Sequence, residues 1–208
     1  MILKSLVVGP LEVNCLVLAC EETKEGIVID PGDNVPGILE MVESDGIQVK
    51  EIVATHGHFD HIGRVKTLKE KLDVPFAIHE DDMFMVEGLV EIASFLDIET
   101  DEAPEVDRFI QIGETITFGN ESMSVVHTPG HAPGNVTLLG PGHAIIGDVL
   151  FAGSIGQTDL EGSDPEVQMA SIKRELMTLP DETQVYPGHG PFTTIGQERA
   201  TNPFLRGL

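Results

Sequence analysis

The chain has 208 residues, of which 41% are hydrophobic and 23% charged, enough for one packed domain and short for two. A formal net charge of −23 opposes phosphate backbones and anionic membrane surfaces, so nucleic-acid and membrane partners are excluded at the outset. No apolar run reaches the ~20 residues of a membrane helix, and the opening MILKSLVVGP lacks the length and cleavage site of a secretory signal, so the expectation is a cytoplasmic protein. In chain order, ILKSLVV, LEVNCLVLAC and EGIVID read as strands separated by Gly-Pro and by the polar EETK. VPGILEMVESDG is a helix ended by Gly46, and VKEIVAT is a strand that runs directly into THGHFDH. HIGRVKTLKEKL has helical spacing, with Ile62, Val65, Leu68 and Leu72 on one face, and PFAIH is a short strand. Residues 81–97 suit one helix whose stripe of Met85, Val86, Leu89, Val90, Ile92, Ala93 and Leu96 belongs to the core, or roofs a pocket or a dimer contact.

The stretch ETDEAPEVD is a loop. ETITFGN, SMSVVHT, NVTLLG and HAIIGD return to strands. PEVQMASIKRELMTL is a helix with Pro165 in its first turn, TQVY is a last strand, and IGQERA is a short helix. Strands and helices alternate in both halves with no linker or repeat, which places the chain among α/β layered folds as one domain over 1–208. Cys15 and Cys20 are five apart in a strand and point to opposite faces, so they are expected as buried free thiols. Residues 80 to 107 hold eleven Asp or Glu and no Lys or Arg; without the spacing of a calcium loop, the run reads as a solvated face.

The chemistry concentrates in THGHFDH. His56 and His58 are two apart, which on a helix would send them to nearly opposite sides but at a strand end lets them converge on one ion. Asp60 and His61 follow at once, and so tight a turn suits two adjacent ions better than one. Further ligand types stand where strands run out into loops: His131 in HTPGHAPGN, Asp148 in AIIGDVLF and His189 in VYPGHGP. His79, His127 and His143 are read as structural or solvent-facing, and Tyr186 as core.

This pattern of THxHxDH, a distant His, an Asp after a strand and a final His resembles the metallo-β-lactamase superfamily over essentially the whole chain. The resemblance implies a four-layer αββα sandwich with two metals at one edge of the paired sheets. It implies that His56, His58 and His131 bind the first metal, that Asp60, His61 and His189 bind the second, and that Asp148 bridges both. Asp30, in VIDPG, falls where the superfamily keeps an aspartate supporting the metal loop. FAGSIGQTDL, VYPGHGP and TTIGQERATNPFL are similar to the glyoxalase II-like branch, especially its short single-domain members. Residues 190–208 follow His189, so the helical domain that helps true glyoxalase II hold glutathione is expected to be missing. Gln157 stands where close relatives often carry Arg. Both departures count against glutathione thioesters as the substrate.

Two divalent cations, with zinc the default and iron or manganese open, lower the pKa of a shared water from 15.7 to roughly 7. The resulting hydroxide, with Asp60 and Asp148 beside it, attacks an acyl carbon. A thiol leaves as thiolate at a pKa of about 8.5, whereas an amide nitrogen needs a proton donor that the sequence does not offer. The expected activity is hydrolysis of a small hydroxyacyl thioester. Three alternatives stay open: a mononuclear iron persulfide dioxygenase using His56, His131 and Asp148, a lactone or ester hydrolase, and a metal-binding protein without turnover. β-Lactam hydrolysis is disfavoured by the bridging carboxylate.

Overall fold

Successive side chains of a strand face opposite ways, and this chain uses that alternation to build three separate cores. The computed structural model describes residues 1–207. The first half comprises β1 (Ile2–Val8), β2 (Val13–Ala19), β3 (Glu25–Ile29), α1 (Val35–Ser44), β4 (Gln48–Val53), α2 (Phe59–Ile62), α3 (Val65–Leu72), β5 (Phe76–Ile78), α4 (Met83–Glu87), α5 (Leu89–Phe95) and β6 (Arg108–Phe109). The second comprises β7 (Thr115–Phe118), β8 (Glu121–His127), β9 (Val136–Gly140), β10 (His143–Gly147), a hairpin of β11 (Leu150–Phe151) and β12 (Ser154–Ile155), α6 (Pro165–Ser171), β13 (Gln184–Pro187), β14 (Thr193–Thr194) and α7 (Ile195–Thr201).

One sheet runs in the order β1-β2-β3-β4-β5-β6 and the other β14-β13-β10-β9-β8-β7. On β2, Cys15, Val17 and Ala19 join Ile38, Val42, Val65 and Leu68 in a core beneath α1 and α3. Leu16 and Leu18, one step out of phase, join Phe118, Val125 and Leu138 between the two sheets. On β10, Ile145 faces that central core while Ala144 and Ile146 face Ile172, Leu176 and Ile195 on the far side. Helix, sheet, sheet and helix therefore stack as the expected αββα sandwich. Cys15 and Cys20 are buried and free. Among the described residues no helix is long and apolar enough to cross a membrane.

Several elements differ from the sequence reading. The helix expected over 81–97 is two, broken at Gly88, and its stripe divides. Met85, Val86, Leu89 and Ala93 are buried, whereas Val90, Ile92 and Leu96 are exposed. The helix expected from His61 starts two residues earlier and is interrupted at Gly63 and Arg64, so Asp60 and His61 share one short turn. The helix from Pro165 is regular only to Ser171 and continues as a wider π turn over Ile172–Leu176. β6, β11, β12 and β14 are two residues long, too short to show any periodicity.

Candidate metal centre

Four strand ends deliver the seven residues singled out by the motif. β4 runs into His56 and His58, and the turn of α2 adds Asp60 and His61. The loop after β8 carries His131, Asp148 follows β10, and His189 follows β13. Ligand-type atoms of His56, His58 and His131 lie within 4.8 Å of one another, and the same holds for Asp60, His61 and His189. Asp148 stands between the two groups. Its Oδ2 is 3.5 Å from His131 Nε2 and 3.3 Å from His189 Nε2, and its Oδ1 is 3.5 Å from His61 Nε2. Asp60 Oδ2 is 3.2 Å from His189 Nε2.

Hydrogen bonds behind the rings fix which nitrogen faces the centre. Asp30 Oδ1 accepts from the Thr55 amide at 2.7 Å, and Asp30 Oδ2 from the Thr55 hydroxyl at 2.7 Å. That hydroxyl oxygen lies 3.1 Å from His56 Nδ1, which donates to it. His61 Nδ1 donates to Asp30 Oδ2 at 3.0 Å, His131 Nδ1 to the Gln157 carbonyl at 2.8 Å, and His189 Nδ1 to the Leu11 carbonyl at 2.7 Å. Four imidazoles are thus locked with Nε2 turned inward, the arrangement that orients metal-binding histidine. His58 instead presents Nδ1, 3.0 Å from His56 Nε2.

The electrostatics divide the histidines. Burial, then the neighbouring imidazoles, holds His56 well below the usual histidine range and His58 down to about 4, so both are neutral. Burial also lowers His131. For His189, burial is outweighed by its bonds to Asp148 and Asp60, which push it up to about 10. His61 is raised the same way by Asp148, Asp60 and Asp30 against its own burial. Burial of Asp148 is overcome by His61 and His189, which hold its carboxyl well below the carboxylate range.

The sequence reading missed Thr55 as well as two residues that brace the site loops, Asp82 and Asn14. Asp82 lies inside the acidic run read as a solvated face, yet it is 0% exposed. Its Oδ2 accepts from the Gly57 amide at 2.9 Å and its Oδ1 from the Gly134 amide at 2.6 Å, which ties the His56–His58 loop to the His131 loop. A Cβ at Gly57 would stand 2.9 Å from Asp82 Cβ, and one at Gly134 2.7 Å from Asp82 Cγ, so this approach requires glycine at both places. Asp101 and Asp107 in the same run also accept backbone hydrogen bonds, from Thr67 and Phe76. Asn14, a polar residue in an apolar strand, donates from Nδ2 to the Pro187 and Gly190 carbonyls at 2.9 Å each and braces the loop of His189. The remaining histidines lie outside the centre. His79 and His127 stack at 4.9 Å with 15° between planes, and His143 bonds the Tyr186 hydroxyl at 2.9 Å.

A family model described as the metallo-beta-lactamase superfamily matches residues 8–189. The chain belongs to this superfamily. A Haemophilus influenzae protein named hydroxyacylglutathione hydrolase GloC is 36% identical over 196 residues, covering 92% of either chain. The crystal structure of the BLEG-1 B3 metallo-beta-lactamase is 35% identical with a TM-score of 0.92, covering 99% of this chain and 100% of that one. The structure of TTHA1623 in a di-iron-bound form is 40% identical with a TM-score of 0.89, covering 97% of this chain and 100% of that one.

As a member of the metallo-beta-lactamase superfamily the chain is expected to carry divalent metal, and its donor set fits that cargo. His61 Nε2, His131 Nε2 and Asp148 Oδ1 are buried without any hydrogen-bond partner. The two imidazole nitrogens approach Asp148 only to 3.5 Å; buried polar atoms without good hydrogen bonds are costly, and cations among these side chains would satisfy all three. Beside it opens a cleft of about 560 Å³ lined by Phe59, Phe84, Met85, Phe151 and Leu160 together with His58, Asp60, His131, Asp148 and His189, a size suited to a small organic ligand.

Proposed function

We propose that the chain hydrolyses small acyl thioesters at a pair of divalent cations held by His56, His58 and His131 on one side and Asp60, His61 and His189 on the other, with Asp148 shared. The observation that carries this reading is the position of Asp148, whose two oxygens face histidines of both groups. When bound, such cations lower the pKa of water toward neutrality and polarise a substrate carbonyl. The chain's own part is orientation and proton handling. Asp30, Thr55, Gln157 and Leu11 aim the imidazoles. Asp60, which lines the cleft with its Oδ2 3.2 Å from His189 Nε2, is the carboxylate assigned to take up a proton as water adds to the acyl carbon. The bond that then breaks is carbon to sulfur, and the thiol departs as thiolate without an acid, because its pKa is only about 8.5. No side chain of the cleft needs to act as a nucleophile.

The name of the Haemophilus influenzae relative supports thioester chemistry. Zinc is the cation proposed, on donor chemistry that iron and manganese also satisfy, and the di-iron form of a 40% identical structure keeps iron in view. The BLEG-1 structure favours one second reading, β-lactam hydrolysis. Protein purified anaerobically and assayed for metal content, then offered thioesters, lactones, β-lactams and, in an oxygen electrode, glutathione persulfide, separates the possibilities. Thioester hydrolysis abolished by chelation and restored by metal is the expected result. Oxygen uptake with persulfide, or β-lactam opening with no thioester turnover, would replace the proposal.

A further inference from the structure

Resting on that reading, we infer that the substrate's non-reacting part is apolar and free of negative charge, so that glutathione thioesters are not what this cleft is built to hold. The reacting carbonyl must lie against the metal centre, which leaves the rest of the molecule to run along the cleft. There it meets Phe84, Met85, Ile92, Leu96, Phe151 and Leu160. Phe84, Ile92 and Leu96 stay 38%, 39% and 57% exposed, an unusual cost for large side chains on one wall unless a ligand covers them.

Away from the metal centre, which the reacting carbonyl occupies, the cleft offers no cationic side chain for an anionic tail to meet. None of its lining residues is Lys or Arg, and the one ionisable residue apart from the candidate metal ligands is Glu161. The wall formed by α4 and α5 belongs to the segment 80–107, which carries eleven Asp or Glu and no Lys or Arg. Arg64, the basic residue nearest the motif in sequence, is already held: Nη1 lies 3.1 Å from Asp101 Oδ1 and Nη2 donates to the Glu99 carbonyl at 3.0 Å. A glutathione moiety brings two carboxylates against one ammonium into this surround and so is net negative. Burying a carboxylate without a partner is expensive, and the field of a −23 chain adds long-range repulsion. A neutral thiol moiety, or the hydrocarbon of a lipophilic acyl group, meets neither penalty.

The test separates binding from turnover. Metal-replete protein is titrated calorimetrically with two non-hydrolysable thioethers carrying the same hexyl group, S-hexylglutathione and S-hexyl-N-acetylcysteamine. In parallel, kcat/KM is measured for thioesters of one acyl group on glutathione and on N-acetylcysteamine. At low ionic strength the neutral thioether should bind at least tenfold tighter, the neutral thioester should show at least tenfold higher kcat/KM, and both gaps should shrink as salt screens the field. Glu161→Arg should narrow the neutral-to-anionic ratio severalfold. Equal or tighter binding of S-hexylglutathione overturns the inference. Absence of all thioester turnover, with the binding preference intact, overturns the thioester reading and leaves the inference about charge standing.

Discussion

Asp30 Oδ2 lies 3.0 Å from His61 Nδ1, while the opposite nitrogen of the same ring, Nε2, faces Asp148 Oδ1 at 3.5 Å. One imidazole therefore connects a carboxylate that only orients it to a carboxylate at the centre. Asp30 also accepts both polar hydrogens of Thr55, which lies next to His56, so a single buried side chain sets ligands of both groups. Asp30→Ala should cost on the order of 3 kcal/mol of stability through the orphaned partners and lower metal affinity by about 10–100-fold. Thermal denaturation of the metal-free protein and competition with a chromophoric chelator check the two parts. A variant that keeps both ions at wild-type affinity contradicts the role given to Asp30.

Gly188 touches the centre with backbone alone. A Cβ there would fall 2.0 Å from Asp148 Oδ1 and 2.6 Å from His61 Cε1. Gly188→Ala must therefore displace either the shared carboxylate or its neighbouring imidazole. Displacements of that size can cost about 100-fold in rate, and a loss of at least that order in kcat is expected with the circular dichroism spectrum retained. Wild-type turnover by Gly188→Ala would mean that Asp148 and His61 have slack the geometry denies them.

The legible part of the molecule was what periodicity and ligand chemistry can carry. The phase of β2, with Cys15 and Val17 against Leu16 and Leu18, is written in the residues and sorts correctly into two cores. The seven ligand types were visible because the spacing THxHxDH with a later His, Asp and His forms a distinctive pattern, and the structure gathers all of them into one place. What escaped was context. Asp82 looks like its acidic neighbours, and only the fold reveals that two glycine amides surround it. The split at Gly88 was masked by a stripe that fits one helix equally well, and it matters because it leaves Ile92 and Leu96 on the cleft rather than in the core.

Asp82 also predicts a pH dependence. Burial pushes its pKa up to about 6, against the pull of the two amides, from about 3.9 in an unfolded chain. The folded state binds that proton more tightly, so this contribution to stability is complete below about pH 4 and is lost as pH rises through about 6, on the order of 3 kcal/mol in all. Asp82→Asn cannot titrate, and its single acceptor oxygen leaves one of the Gly57 and Gly134 amides facing an amide group. The metal-free variant should therefore be less stable than wild type at pH 4, with the gap narrowing toward pH 7. Urea denaturation across that range measures it, and a gap independent of pH would show that Asp82 does not titrate there.

Metal loading should release protons unevenly between the two groups. In the metal-free chain the surrounding carboxylates raise His61 well above the usual histidine range and His189 to about 10, so both rings hold a second proton at pH 7. A histidine must give up its second proton to bind a metal, and filling the group that contains them should expel about two protons, with affinity rising as pH rises. His56, His58 and His131 are lowered and already neutral at pH 7, so their group should release nothing and bind with little pH dependence above the ordinary histidine range. Two binding events of different pH slope are the signature. Calorimetric titration between pH 6.5 and 8.5, repeated in buffers of different ionisation enthalpy, counts the protons for each event. Equal slopes, or proton release from neither event, would mean that the carboxylates around His61 and His189 do not hold those rings protonated before the cations arrive.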